Sequence, residues 1–409
     1  RGPVFVRPLL DFSKQKAVYA ISEGGVIAGC DPAVLSSLSP GRLNRIQAYL
    51  SKPQVKQDIR DVFAKAKTVS FDMKKGDLSA FLRSSAVSGP TKVIISGQGT
   101  CYTSPHLIEN KQVRLEFQPN EGERTVVELK LLSPSASKLP RNQKKEGVSS
   151  FITLRNSTLD LVGGNFQISA ERKGVVPKHF LVCNKSKLAL DQCALHAILV
   201  NDRRFQSVVY VEPSDTGKTE QILIDHSFLA ASGTIVESRA SRLSLEVQSS
   251  LLLSMKDIFA LETQKSVSPS LHVSLNQSTF ATGETVFALK QSSGDKPAGD
   301  SAARIFADES IFIPAPATSA VRSVFSKSAS LFSIPQTLRE KKPIQWWGHA
   351  NGFMVERLNL LDNSNTNSQK TATGFSKEMA MLFGDEADQD ALAVTGGVML
   401  LEQKLPPLV

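Results

Sequence analysis

The 409-residue sequence is poor in the residue types that most often announce chemistry: four Cys, two Trp, four Tyr and six His. Cys30, Cys101, Cys183 and Cys193 form no Cys-x-x-Cys pair and have no His partners at ligand spacing, so no metal site is expected. Cys183 and Cys193 sit inside apolar runs and read as buried thiols rather than a bridge. With so few Tyr and Trp, aromatic platforms for nucleic-acid bases are scarce. The net charge of +9, from 48 basic and 39 acidic residues, is mild and scattered, so nucleic acid is not an expected partner. No run of about 18 uncharged apolar residues occurs, so no helical membrane span is expected within this chain. A hydrophobic content of 41% is nonetheless enough for a sizeable core and excludes wholesale disorder.

Complete catalytic signatures are also missing. Thr216-Gly217-Lys218-Thr219 follows a strand, but a phosphate-binding loop would need Gly where Glu212 stands and a helix where Gln221-Ile222-Leu223-Ile224 reads as strand. The segment reads as a turn, and no cofactor is expected. There is no His-Arg-Asp loop or Asp-Phe-Gly of a protein kinase, and no Gly-x-Ser-x-Gly elbow. Beginning at Arg1 rather than Met, the sequence reads as a fragment or a processed product. Ile27-Ala28-Gly29-Cys30 has the shape of a lipobox, but Ser22, Glu23 and two glycines interrupt the preceding stretch. An exposed strand and turn is the reading taken there.

What is present is periodicity. Leu43, Ile46 and Leu50, then Val55, Ile59, Val62, Phe63 and Ala66, fall at helical spacing. Lys52, Lys56, Arg60, Lys65 and Lys67 lie mostly on the other side and read as a solvated face. Beyond residue 68 short apolar runs alternate with polar turns, without the amphipathic helices of a doubly wound sheet. A template of alternating apolar residues, a Ser and further apolar residues recurs at Ile152-Leu154-Ser157-Leu159, Leu181-Cys183-Ser186-Leu188, Ile222-Ile224-Ser227-Leu229, Val236-Ser238-Ser241-Leu243 and Val273-Leu275-Ser278-Phe280. Strand, bend and strand repeated with a small residue at the bend predict an all-β, right-handed parallel β-helix, a solenoid with short helical segments at its ends. A β-sandwich is the alternative. The expected organisation is an N-terminal strand and turn segment over 1–39, a helical cap over 40–75 and the β-helix over 76–361. A flexible loop over 362–375 and a C-terminal helix and strand tail over 376–409 follow. The tail carries a helical pattern over Lys377–Phe383.

Two clusters are candidate sites. Asp225 and His226 are weak catalytic candidates, through the resemblance of Ile224-Asp225-His226 to part of a pectate lyase segment. A structural or solvated role is the simpler reading, since Asp160, Asp191 and Asp225 take different positions in the repeat and are not expected to converge. Trp346, Trp347, His349 and Asn351 are the binding candidates: aromatic faces for a sugar ring with polar neighbours. The competing reading puts one Trp in the core.

The segment from Phe71-Asp72-Met73 through Leu78-Ser79-Ala80-Phe81-Leu82, then Val93-Ile94-Ile95-Ser96-Gly97, Leu107 to Phe117, the Ser-containing repeats and the late Trp-Gly…Asn-Gly segment form a combination. It resembles the pectate-lyase-like β-helix regions found C-terminal to membrane-anchored serine/threonine kinases of planctomycete bacteria. Ile224-Asp225-His226 resembles part of a pectate lyase segment, but Leu223 replaces its Trp and the family's Arg motif is missing. The resemblance implies an extracytoplasmic solenoid, periplasmic or on the cell surface, in a longer protein with a kinase and a membrane anchor; the expected role of this region is non-catalytic binding of a protein or polysaccharide ligand. A polysaccharide lyase or glycoside hydrolase is the other expectation.

Overall fold

A computed structural model describes residues 55–73, 76–97, 100–103, 105–118, 128–131, 150–168, 177–198, 205–214, 218–263, 271–291, 303–315, 329–334, 344–349, 351–353 and 357–359, together with 20–21 and 27–28. Ala20–Ile21 pairs antiparallel with Ile27–Ala28, the first two residues of the lipobox-like segment. The binding candidates Trp347 and His349 are described in backbone only, and 362–409 lie outside the described residues.

The chain winds as a parallel β-helix. Three sheets of ten, seven and nine strands run the length of the coil. Every pairing within them is parallel, as between Thr158–Val162 and Lys187–Asp191 or between His179–Asn184 and Ser207–Val211. One turn passes from the nine-stranded sheet (His179–Asn184) to the ten-stranded sheet (Lys187–Asp191), to the seven-stranded sheet (Ala194–Ala197), and back to the nine-stranded sheet at Ser207–Val211. This arrangement excludes the sandwich.

Alternation along each strand explains the winding. Leu159, Leu188, Ile222, Leu245, Val273, Ile305 and Trp346 stack in register up the inside of the ten-stranded sheet. Each is buried in one continuous core. Aromatic rings stack similarly elsewhere, with Phe280 and Phe312 centroids 5.2 Å apart and Phe259 and Phe287 5.1 Å apart. Burial at about 25 cal/mol per Å² of apolar surface makes these interior columns the principal source of stability.

The Ser-containing template turns out to fit two different corners. Between the nine- and ten-stranded sheets, the Lys111 amide donates to Ser157 Oγ at 3.1 Å and the Ser157 amide to Ser186 Oγ at 3.2 Å. This column ends on the buried Glu220, whose carboxylate accepts from the Lys185 and Ser186 amides, both at 2.6 Å. Between the ten- and seven-stranded sheets, the Cys193 amide donates to Ser227 Oγ and the Ser227 amide to Ser250 Oγ, at 3.1 and 3.0 Å. The Ser250 amide then donates to Ser278 Oγ (3.2 Å), the Ser278 amide to Ser310 Oγ (3.4 Å) and the Ser310 amide to Asn351 Oδ1 (2.9 Å). Ser157 and Ser186 therefore share one line and Ser227 and Ser278 another, while Ser241 belongs to neither and donates to the Ser214 carbonyl. Residues before the Ser, such as Lys185, His226 and Gln277, take positive φ near 50° to turn the chain.

Coils differ in length because loops are inserted at corners. The steps along the second ladder are 34, 23, 28, 32 and 41 residues. Residues 212–219 connect Val211 of the nine-stranded sheet to Glu220 of the ten-stranded sheet, and residues 292–302 connect Gln291 to Ala303 across the same two sheets. Where a coil is shortest, backbones from neighbouring turns meet: a Cβ on Gly233 would lie 2.3 Å from the Gln206 carbonyl oxygen.

The helices do not sit where a simple cap would. Helix α1, Val55–Val62, lies against the flank of the ten-stranded sheet, over Lys187–Asp191, Glu220–Asp225 and Leu243–Gln248. The segment read as a helical cap also contains the strand Lys67–Asp72, which pairs with Pro90–Ser96 at the sheet's edge, so the coil starts before residue 76. Helix α2, Leu78–Arg83, is the one that enters the core, through Leu78 and Leu82 beside Phe71 and Val87. Asp77 caps it by accepting from the Ser79 amide at 3.0 Å.

Candidate functional site

On the outer face of the ten-stranded sheet, parallel register brings together residues far apart in sequence. With Leu188 and Leu190 directed inward, Ala189 and Asp191 face out; Leu223 and Asp225 do the same one turn later. Asp191 and Asp225 are direct register partners, and Gln248, Asn276 and Asp308 continue their column. The expectation that these aspartates would not converge is therefore corrected for Asp191 and Asp225. Aligning one repeat on the first corner and the other on the second had displaced them. Asp160 does stand two residues off, opposite Ala189.

One ligand atom from each of Asp191, Asp225 and His226 lies within 4.8 Å of the others. His226, at the left-handed corner position, is 55% exposed and places Nδ1 2.8 Å from Asp225 Oδ1. A carboxylate pair with an imidazole is chemically a cation or acid–base site. Its cation here comes from the chain itself. Lys56 Nζ of α1 lies 2.7 Å from Asp225 Oδ2 and donates to Gln248 Oε1 at 3.1 Å. The Arg60 guanidinium stands 3.9 Å from Asp225 and 4.0 Å from Asp191. Asp225 is left 1% exposed.

Packing and polar contacts fix α1 in this position. Val55 and Ile59, with Phe63, close on Ala189 and Leu223 in a small apolar cluster separate from the core. Gln221 Nε2 donates to Asp58 Oδ2 at 2.6 Å. At the helix start the Lys56 amide points to Glu246 Oε2 at 3.4 Å, a carboxylate at the positive end of the helix dipole. The basic residues read as a solvated face thus include two that hold the helix to the sheet. Nothing in the helix sequence alone distinguishes these uses, because their partners lie over a hundred residues away. A usable signal does exist in the repeat: Asp191-Gln192-Cys193, Asp225-His226-Ser227, Gln248-Ser249-Ser250, Asn276-Gln277-Ser278 and Asp308-Glu309-Ser310 share a polar residue, any residue, then Ser or Cys.

Burial shapes the titration of this face. The Asp160 carboxyl is pushed up to about 6 by burial, with the Arg114 guanidinium at 2.9 Å opposing the shift. Asp191 is raised by burial first and by the Asp225 charge second, against Arg60 and Lys56.

Of the Trp-containing cluster, Trp346 and Asn351 are buried. Trp346 is 2% exposed and lies inside the coil, edge-on to Phe332 with centroids 5.7 Å apart. Asn351 is buried too; it ends the second polar ladder and donates through Nδ2 to the Ala307 carbonyl at 2.6 Å. Trp347 and His349 belong to the strand Ile344–His349, in register with Phe306 and Asp308. Cys183 and Cys193 are buried free thiols, as the sequence indicated. Cys193 replaces Ser at the second corner, its Sγ donating to the Leu161 carbonyl at 3.2 Å, and burial pushes the thiol up to about 12. The turn read at Thr216–Thr219 is followed by the strand Glu220–Asp225 rather than a helix.

Among the described residues no helix is long and apolar enough to cross a membrane. No protein-family profile and no curated protein matches this chain.

Proposed function

We propose that this chain is a non-catalytic, extracytoplasmic β-helix of the bacterial cell envelope, whose outer faces bind a protein or a glycan. The reading rests on one observation: the acid pair that stacking creates, Asp191 and Asp225, is roofed by α1 and charge-matched by Lys56 and Arg60. A catalytic carboxylate must touch substrate, and the 1% exposure of Asp225 under an ion-paired helix supports the non-catalytic reading. The likeness to regions that accompany membrane-anchored serine/threonine kinases supports placement beside such a kinase in a longer protein. Stacked-repeat scaffolds commonly serve as extended binding faces.

A second reading, a polysaccharide lyase or glycoside hydrolase, is favoured by the same Asp191–Asp225–His226 group on the outer face of a parallel sheet. Incubation with polygalacturonate and other acidic glycans, with and without calcium, separates the two. The expected result is retention on a glycan or envelope-protein array with no release of cleaved product. Product release that Asp225→Ala abolishes would establish the enzyme instead.

A further inference from the structure

The third corner of the coil, where the chain passes from the seven- to the nine-stranded sheet, carries a polar column of its own. Ser150, His179, Ser207 and Thr234 stack there in register. Thr285 and Ser330 continue the line higher up. Asp257 fills the turn between, because Val236, Phe259 and Phe287, each two residues further along, are register partners. The Ile258 amide donates to the Thr285 carbonyl at 2.9 Å. The lower members satisfy one another: the Ser150 and Thr153 hydroxyls lie 2.6 Å apart, and His179 Nδ1 lies 2.7 Å from Ser207 Oγ. The upper members do not. Thr285 is 1% and Ser330 0% exposed, yet neither hydroxyl completes a hydrogen bond among the described residues.

Beside these hydroxyls stand two carboxylates from successive turns. The Glu284 amide donates to the Lys256 carbonyl at 3.2 Å, which sets Glu284 one strand spacing, about 4.8 Å, from the backbone at Asp257. Burial first and the Glu284 charge second push the Asp257 carboxyl up to about 6, against Lys290 and Lys256. Lys290 is the register partner of Glu262, and Lys256 is exposed. A water molecule at this corner would serve the buried hydroxyls but leave the two carboxylates opposed. A hard cation answers both, and the group holds only oxygen ligands. Calcium accepts oxygens in irregular geometry, whereas magnesium demands a near-ideal octahedron.

We propose that Asp257, Glu284, Thr285 and Ser330 form a calcium site at the third corner, in which the ion ties three successive turns of the coil together. It is separate from the Asp191–Asp225–His226 group, whose cation is Lys56, and does not depend on the proposed function. The test uses the full chain stripped with a chelator. Added calcium is expected to give a saturable heat of binding and to raise the unfolding temperature, with a smaller effect from magnesium. Asp257→Asn and Glu284→Gln each weaken calcium binding by about tenfold or more. Both leave the metal-free chain no less stable, since each removes one of two like charges. Ser330→Ala, which removes only an unpaired hydroxyl, weakens binding too, and His226→Gln leaves it unchanged. Lowering the pH through about 6 weakens it as Asp257 takes up a proton. Absence of any calcium response in the unaltered protein would overturn the proposal. So would a response that survives both Asp257→Asn and Glu284→Gln, or one that His226→Gln abolishes.

Discussion

The two outer faces that meet at the second Ser corner are built from the same coil yet behave differently. Outward positions of the ten-stranded sheet carry Asp160, Asp191, Asp225 and Glu246, of which Asp160 and Asp225 are buried and Asp191 and Glu246 half-buried. Those of the seven-stranded sheet carry Phe228, Leu251 and Ile311 and are open. The inward residues of both are aliphatics and aromatics in one continuous core. The difference shows that, in a parallel coil, interior columns decide the winding while outward columns decide what settles on each side. Charge makes the docking specific: apolar contact alone would let α1 slide along the sheet, whereas Lys56 and Arg60 against stacked aspartates fix its position.

The sharpest way to break the comparison is to remove its central charge. Asp225→Ala leaves Lys56 facing a hole, and loss of one partner from a buried pair costs about 3–5 kcal/mol. Release of α1 is expected, seen as new proteolytic cleavage near Arg60 and Lys65, with the coil's far-ultraviolet strand signal retained.

Titration gives a second handle, of up to about 3 kcal/mol per group. Asp160 titrates near 6 when folded and near 4 when unfolded, so the native state holds a proton that the unfolded chain has released. Stability therefore falls as pH rises from about 4 to about 6. His179 runs the other way: burial, with Lys178 and Arg239 nearby, brings it down to about 4. Its contribution is present above about 6.5 and is lost as pH falls toward 4. Urea unfolding at pH 4.5 and 7 is expected to show Asp160→Asn removing the first slope and His179→Gln the second. Changes of the same sign in both variants would contradict these assignments.

Smallest is the corner the two faces share. Ser250→Ala orphans the buried Ser227 amide, for a loss of about 1–3 kcal/mol. That loss is expected in the unfolding midpoint of the whole coil, without selective release of α1.

Much of the winding was legible because strand alternation and small corner residues are local properties. Ile152, Leu181 and Ile222 announce inward faces by themselves. Which of three corners each Ser occupies was not legible, since Ser157 and Ser227 sit in similar local patterns on different edges. The site suffered most from that ambiguity. Asp191 and Asp225 are neighbours only after the corners are assigned correctly, and Lys56 reaches Asp225 and Gln248, the latter 192 residues away, only once the intervening coils are wound into place. Trp346 illustrates the reverse case: an unusual dipeptide invites a surface role, but its register with Ile305 and Val273 makes it the top of an interior column.

Hydrogen exchange of the α1 amides in the unaltered protein and in Asp225→Asn is the most direct measurement. Protection at Ile59 to Val62 at pH 7, lost in the variant while the Ser227, Ser250 and Ser278 amides stay slow, is the result expected of a helix clasped to the aspartate column. Equal, unprotected exchange of α1 in both proteins would contradict it and leave the acid pair open for chemistry.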